Sequence, residues 1–286
     1  MKRTVHIISL FLLLVLPAGA EAINVDSLRQ EIDQIVLQQQ ATEALFQNYR
    51  LLALVPLREG KEREAIKIYL EGLAFAEKLK DQRSKVLFLL SIAGLYYLPL
   101  DEFTRAREHL LQAKELIPDI NDQTLATQCF TQLAEVDLQL GKLNEALEYQ
   151  LESLSIAEEI KDTVALWNGN YNLGSIYVAK NEYQKALARF KICQDIQGYF
   201  SDPSQELSLL IVTGATYVEM DQLDEAVVFI QAAFNLARES EDSFSLAYCE
   251  AEMGKIMKKK GELEQARQYL LSALDRMQEL DIKLEW

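Results

Sequence analysis

Past residue 22 the 286-residue chain has one histidine, His109, and three cysteines, Cys129, Cys193 and Cys249. Acid–base, nucleophilic or metal chemistry would have to start from these side chains and the carboxylates around them. His109 stands between Glu108 and Leu110 within a helical pattern and reads as a structural or solvated imidazole. The cysteines are odd in number and lie 64 and 56 residues apart, so they form neither a disulfide framework nor a CxxC pair. They read as small buried hydrophobes. No HExxH, no Gly-rich phosphate loop and no paired Cys/His spacing occurs. An Asp recurs at Asp81, Asp122, Asp162, Asp202 and Asp242, but one per repeat brings no second ligand beside it, so helix capping explains it better than a metal ladder. Glu239, Glu241, Asp242, Glu250 and Glu252 make a denser acidic stretch, read as solvated helix ends ahead of a Ca²⁺ site. These residues predict a protein that is not an enzyme, with no catalytic, cofactor or metal site.

Binding remains. With 29 basic and 44 acidic side chains the formal charge is −15, and it becomes −16 if Lys2, Arg3 and Glu21 are removed with the first 22 residues. Nucleic-acid binding needs clustered cations to neutralise phosphate, so nucleic acid is excluded as a partner, and anionic membrane surfaces repel the chain. The exception is a basic cluster, Lys255, Lys258, Lys259 and Lys260. It has two readings. One is a set of cations at a helix C-terminus, each favoured by ~0.3–1 kcal/mol through the helix dipole. The other is a clamp in which Lys255 and Lys258 hold an acidic group or C-terminal carboxylate of a ligand.

The elements that position these residues follow from an internal period. Alanine recurs at Ala65, Ala106, Ala146, Ala186, Ala226 and Ala266, in steps of 41, 40, 40, 40 and 40. Five residues before each stands Gly60, Asp101, Gly141, Asn181, Asp221 or Gly261, residue types that tolerate the left-handed backbone ending a helix. Twelve residues before each stands a small residue, Ala53, Gly94, Ala134, Gly174, Gly214 or Gly254. Glycine in a helix costs up to ~1 kcal/mol relative to alanine, so its recurrence predicts two helices in close approach. Apolar residues between the marks keep helical spacing, as in Leu173, Ile176 and Tyr177, then Tyr183, Leu187 and Phe190. Each unit is therefore a helix hairpin, and a fixed period of this length means a stacked repeat.

These marks resemble the tetratricopeptide repeat family, whose pattern runs Trp, Leu-Gly, Tyr, Ala, Phe and Pro. The fourth unit matches best, through Leu173-Gly174, Tyr177, Ala186 and Phe190. The second has Gly94, Tyr97, Ala106 and Pro118, while the third has Ala134 and Asp137 where Gly and Tyr belong. In the first, Pro56 replaces the Tyr and should kink its helix. The 40-residue unit is longer than the family's and is similar to those of kinesin light chains and bacterial sensor segments. The resemblance implies an all-α, right-handed solenoid of six hairpins at residues 42–81, 82–122, 123–162, 163–202, 203–242 and 243–282. It also implies a concave groove, lined by the first helix of each hairpin, that holds a protein or peptide. The stripe carried over holds Asn168, Tyr171, Asn172 and Ser175 in the fourth unit, and Gln128, Thr131, Gln132 and Glu135 in the third. Ser208, Ile211 and Ala215 occupy it in the fifth, and Phe88, Leu95 and Leu98 make it apolar in the second. Paired Asn168 and Asn172 amides could read a peptide backbone whatever its sequence.

The ends differ from the repeats. Lys2 and Arg3 precede an apolar run, Ile8 to Leu16, and small residues around Ala20, so residues 1–22 read as a secretory signal; an uncleaved anchor is the alternative. Residues 23–41 form an amphipathic capping helix with Leu28, Ile32, Ile35 and Val36 on one face and a Ser27–Gln30 capping box. The last unit has no such cover, and 283–286 is a short tail. The natural polypeptide continues, the edge self-associates, or the tail folds back. The expected protein is thus an exported, periplasmic scaffold, on the assumption of a bacterial source. The alternative is the sensory ectodomain of a membrane histidine kinase or nucleotide cyclase whose catalytic part lies past Trp286.

Overall fold

The computed structural model describes residues 24–38, 43–97, 100–199 and 203–280. Residues 1–22, where a secretory signal is expected, Leu98, Asp202 and everything from Asp281 onward lie outside the described residues. Among the described residues there are thirteen α-helices and no strand. They are α1 (Val25–Gln38), α2 (Glu43–Arg58), α3 (Glu62–Leu79), α4 (Gln82–Tyr97), α5 (Phe103–Ile120), α6 (Gln123–Gln139) and α7 (Leu143–Ile160). Then come α8 (Thr163–Ala179), α9 (Tyr183–Ile196), α10 (Pro203–Glu219), α11 (Leu223–Glu239), α12 (Ser243–Lys260) and α13 (Leu263–Glu279), with a single 3₁₀ turn, Gln197–Tyr199, after α9. The chain divides into two compact units, 1–169 and 170–286, with the cut inside α8.

Two kinds of turn join the helices. Within each hairpin Gly60, Asp101, Gly141, Asn181, Asp221 and Gly261 all have positive φ, between 52° and 81°. In five of the six the following N–H reaches back to the carbonyl of the residue at the family's Tyr position, as in Lys142 to Asp137 (2.8 Å) and Glu182 to Tyr177 (2.8 Å), and in the second Glu102 N–H reaches Tyr96 instead. Orphan carbonyls at the helix end are satisfied this way. Between hairpins the left-handed residue is Lys80, Asn121, Lys161 or Glu241, directly before a capping aspartate. Asp81, Asp122, Asp162 and Asp242 accept from the N–H three residues on, at 3.0–3.1 Å. The aspartates are helix caps.

Small residues set the spacing of the last three hairpins. A Cβ at Gly174 would stand 2.3 Å from the Phe190 ring, one at Gly214 2.6 Å from Ile230, and one at Gly254 2.7 Å from Leu270. The anchoring alanines are buried in all six units. In unit 1 the core runs from Ile32, Leu45 and Tyr49 through Tyr69 and Phe88 to Leu110, Cys129 and Leu133. In unit 2 it comprises Leu207, Ile211, Ile230, Cys249, Met253 and Met257, with the alanines between them.

Two local expectations change. Helix α1 starts two residues before Ser27, and its cap is Asn24, whose Oδ1 accepts from Ser27 N–H at 3.0 Å. Ser27 therefore lies inside the first turn, where it cannot head a capping box. Pro56 stands in the last turn of α2, which continues to Arg58. So late in a helix its missing N–H costs one bond, and the helix is not interrupted.

Candidate functional site

In unit 1 the candidate stripe belongs to α6 and the first residues of α8. Gln128 is exposed, and Gln132 is half-buried with its Oε1 enclosed and without a hydrogen-bond partner. Asn168 is likewise half-buried, and its Oδ1 is enclosed and unpartnered. Thr131 turns toward α7, where its hydroxyl meets Ser153 Oγ at 2.8 Å, and Ser153 also bonds the Thr127 carbonyl at 3.1 Å. Glu135 is buried. In unit 2 Tyr171, Asn172 and Ser175 are all buried. The Tyr171 ring packs against Phe190 at 6.0 Å, Ser175 Oγ donates to the Tyr171 carbonyl at 3.1 Å, and burial raises the phenol well above its ordinary range. The close approach permitted by Gly174 draws this part of α8 against α9, so Asn172 is not presented to solvent as a peptide reader. Of these residues Gln128 is the exposed one, and Gln132 and Asn168 are half-buried.

The lysine cluster is mostly engaged within unit 2. Lys255 Nζ lies 2.7 Å from the carboxylate of buried Glu252, and Lys260 Nζ lies 2.6 Å from Asp224. Lys259 donates to the Val218 carbonyl at 2.8 Å and lies 3.3 Å from Asp221. The last two pairs tie the sixth hairpin to the fifth, a role that helix-end statistics alone did not suggest. Lys258 is exposed. The acidic stretch is occupied in the same way: Asp242 caps α12, and Glu250 is held by Arg276 at 3.0–3.1 Å and Ser272 at 2.8 Å.

The three thiols are buried, and burial pushes each up to about 12. His109 stacks on Tyr96 with ring centroids 5.7 Å apart and planes 3° from parallel. Its Nδ1 is enclosed, and desolvation lowers its pKa against the opposing influence of Glu108. Neither set has the exposure of a nucleophile or a general base.

Two residues of the third repeat put polar groups at buried packing positions. Asp137, in the family's Tyr place, is fully buried and pairs with Arg107 of α5, Nε to Oδ1 at 2.5 Å and Nη2 to Oδ2 at 3.3 Å. Gln150 is fully buried with both amide atoms unpartnered. It stands where the other repeats carry Tyr69, Leu110, Phe190, Ile230 and Leu270. Its Nε2 lies 3.5 Å from where a Gly169 Cβ would be. The register showed this exchange plainly, since an amide replaces an apolar side chain four residues after the anchoring alanine.

A family model described as "Tetratricopeptide repeat" matches residues 123–197, and one described as "Anaphase-promoting complex subunit 5" matches residues 174–260. Tetratricopeptide repeat protein 29 of Macaca fascicularis is 26% identical over 153 residues, 53% of this chain and 32% of that protein. The match thus spans about a third of that relative's length. Aspartyl phosphate phosphatase F from Bacillus subtilis is similar in fold, with TM-score 0.66, 14% identity and coverage of 93% of this chain and 79% of that one. The Rap conjugation gene regulator of plasmid pLS20, solved in complex with the Phr* peptide, has TM-score 0.59 and 14% identity, covering 93% and 89%. A signal-transduction ATPase with a tetratricopeptide repeat sensor from Pyrococcus horikoshii has TM-score 0.64 and 18% identity, covering 91% and 41%.

Proposed function

We propose that this chain, which carries tetratricopeptide repeats, is an exported, non-catalytic scaffold that binds a protein or peptide along the first helices of its repeats. A helical-repeat scaffold of this kind is suited to protein binding. The observation that carries the reading is the pair of enclosed, unpartnered acceptors, Gln132 Oε1 and Asn168 Oδ1, on the first helices of successive repeats. A buried polar atom without a partner costs about 1–3 kcal/mol, and either amide, rotated outward, would recover that by accepting from the N–H groups of a bound backbone. Gln128 lies on the same stripe and is open to solvent. The fold likeness to a regulator solved with a peptide supports the same class of ligand. In unit 2, taken by itself, Lys258 is exposed and open to an acidic group.

The test is selection of peptides from a displayed library on the purified chain. Selected peptides should lose at least about tenfold in affinity when Gln132 and Asn168 are both changed to Ala, which corresponds to ~1.4 kcal/mol, and should not respond to Glu148→Ala on α7. Equal affinity for the double variant would remove the stripe from the reading. Export rests on the charged, apolar and small-residue order of residues 1–22. N-terminal sequencing of protein secreted by an expressing cell should begin near Ile23.

A second reading, as the sensory part of a larger signalling protein, draws on the likeness to the Pyrococcus horikoshii ATPase with its repeat sensor. A reading frame that runs past Trp286 into a membrane span and a catalytic domain would favour it.

A further inference from the structure

Charge is distributed unevenly over unit 1. The exposed places of its second helices carry Lys67, Glu77, Glu108, Glu115, Glu148 and Glu152. The first helices touch one another in succession, α2 on α4 and α4 on α6, so their stripe runs unbroken through the three hairpins. That stripe takes the places eighteen, fourteen and eleven residues before each anchoring alanine. Before Ala65 and Ala106 these places hold Gln47 and apolar side chains, of which Leu51 is half-buried. Before Ala146 they hold Gln128, Gln132 and Glu135, and Asn168 is the first of them on α8. Among the described residues of the stripe in unit 1 only Glu135 is ionisable, and it is buried.

A chain of formal charge −15 draws cations toward it at long range. At the stripe that attraction has no open carboxylate to end on. A Lys or Arg laid there would give up water and meet amides and leucine instead, a cost that an uncharged segment does not carry. Gln132 and Asn168, once rotated outward, accept from backbone N–H groups, exposed Gln128 both donates and accepts, and Leu51 offers contact to an apolar side chain. Neighbouring helix axes stand ~9 Å apart and an extended chain rises ~3.3 Å per residue, so each hairpin spans about three ligand residues.

We propose that the segment held along the first helices of unit 1 is uncharged, an extended run of about nine residues, apolar toward α2 and read through its backbone at α6 and α8. This rests on the peptide-binding reading and adds the chemistry of the ligand. Random peptides of about twelve residues, displayed on phage and selected on the full chain, are long enough to span the run. The Gln132→Ala, Asn168→Ala double variant sorts out those that use the stripe. Peptides that respond to it are expected to lack Lys, Arg, Asp and Glu over the bound run. Calorimetry should find their Kd constant within about twofold between about 20 and about 500 mM NaCl, since salt screens charges and leaves amide and apolar contacts in place. Selection repeated on Gln128→Glu, at an exposed position, should return peptides carrying Lys or Arg whose affinity falls at least about fivefold over the same range. Responsive peptides rich in Lys or Arg on the parent chain, or a larger salt effect than twofold, would overturn the proposal and leave the peptide reading standing. So would a Gln128→Glu selection that returns no cationic peptide. Peptides that all ignore the double variant would instead remove the stripe itself, and the proposal with it.

Discussion

Single side chains in the third repeat show where polar chemistry has entered a packing position. Gln150 lies in an apolar register place, fully buried and with both amide atoms unpartnered. Replacing it with the leucine found in the same place at Leu110 removes the desolvation cost without a large change in volume. Gln150→Leu is expected to stabilise the chain by about 1–2 kcal/mol, read as a higher urea midpoint at unchanged slope. A lower midpoint would mean that the amide has a partner of its own. Asp137 is a different case, since its buried charge is met by a two-pronged Arg107 contact. That exchange of Tyr for Asp was legible as a departure from the repeat pattern, but its partner was not, because Arg107 lies 30 residues away on another hairpin.

The hairpin was the most legible element. Six turn residues chosen for their tolerance of left-handed backbone all adopt it, and the aspartates of the second turn cap helices wherever they fall within the described residues. Small residues twelve places before the anchoring alanine do bring the two helices together, and Gly174 offers a test in which two effects have opposite sign. Helix propensity alone favours Gly174→Ala by ~1 kcal/mol. The added Cβ would meet the Phe190 ring at 2.3 Å, and that ring is enclosed, so overpacking of about 1–3 kcal/mol should exceed the gain. The variant is expected to melt lower than the parent; a rise would mean the spacing is not set by this contact. The same closeness explains why Tyr171, Asn172 and Ser175 of the α8 stripe are buried. Helical spacing places Tyr171, Asn172 and Ser175 on a named face, but which faces stay open depends on how near the next helix comes, and periodicity does not carry that distance.

At the scale of the whole molecule, a charge of −15 underlies the expectation that nucleic acid is no partner, and the 40-residue period supplied the architecture. Function was less legible, because the residues that define the repeat are packing residues and carry no ligand chemistry. What points to a ligand is a set of polar atoms left unsatisfied once packing is complete, and that can be seen only with the helices in place. Among the described residues no helix is long and apolar enough to cross a membrane. The central claim is that a protein or peptide lies along the first helices of the repeats. Photo-cross-linking in the native host tests it most directly, with a benzophenone amino acid at Gln128 on the stripe or at Glu148 on the exposed side of α7. The account predicts one discrete adduct from position 128, mapped by mass spectrometry to a single partner segment, and none from position 148. No adduct from 128, or the same adduct from both positions, would contradict it.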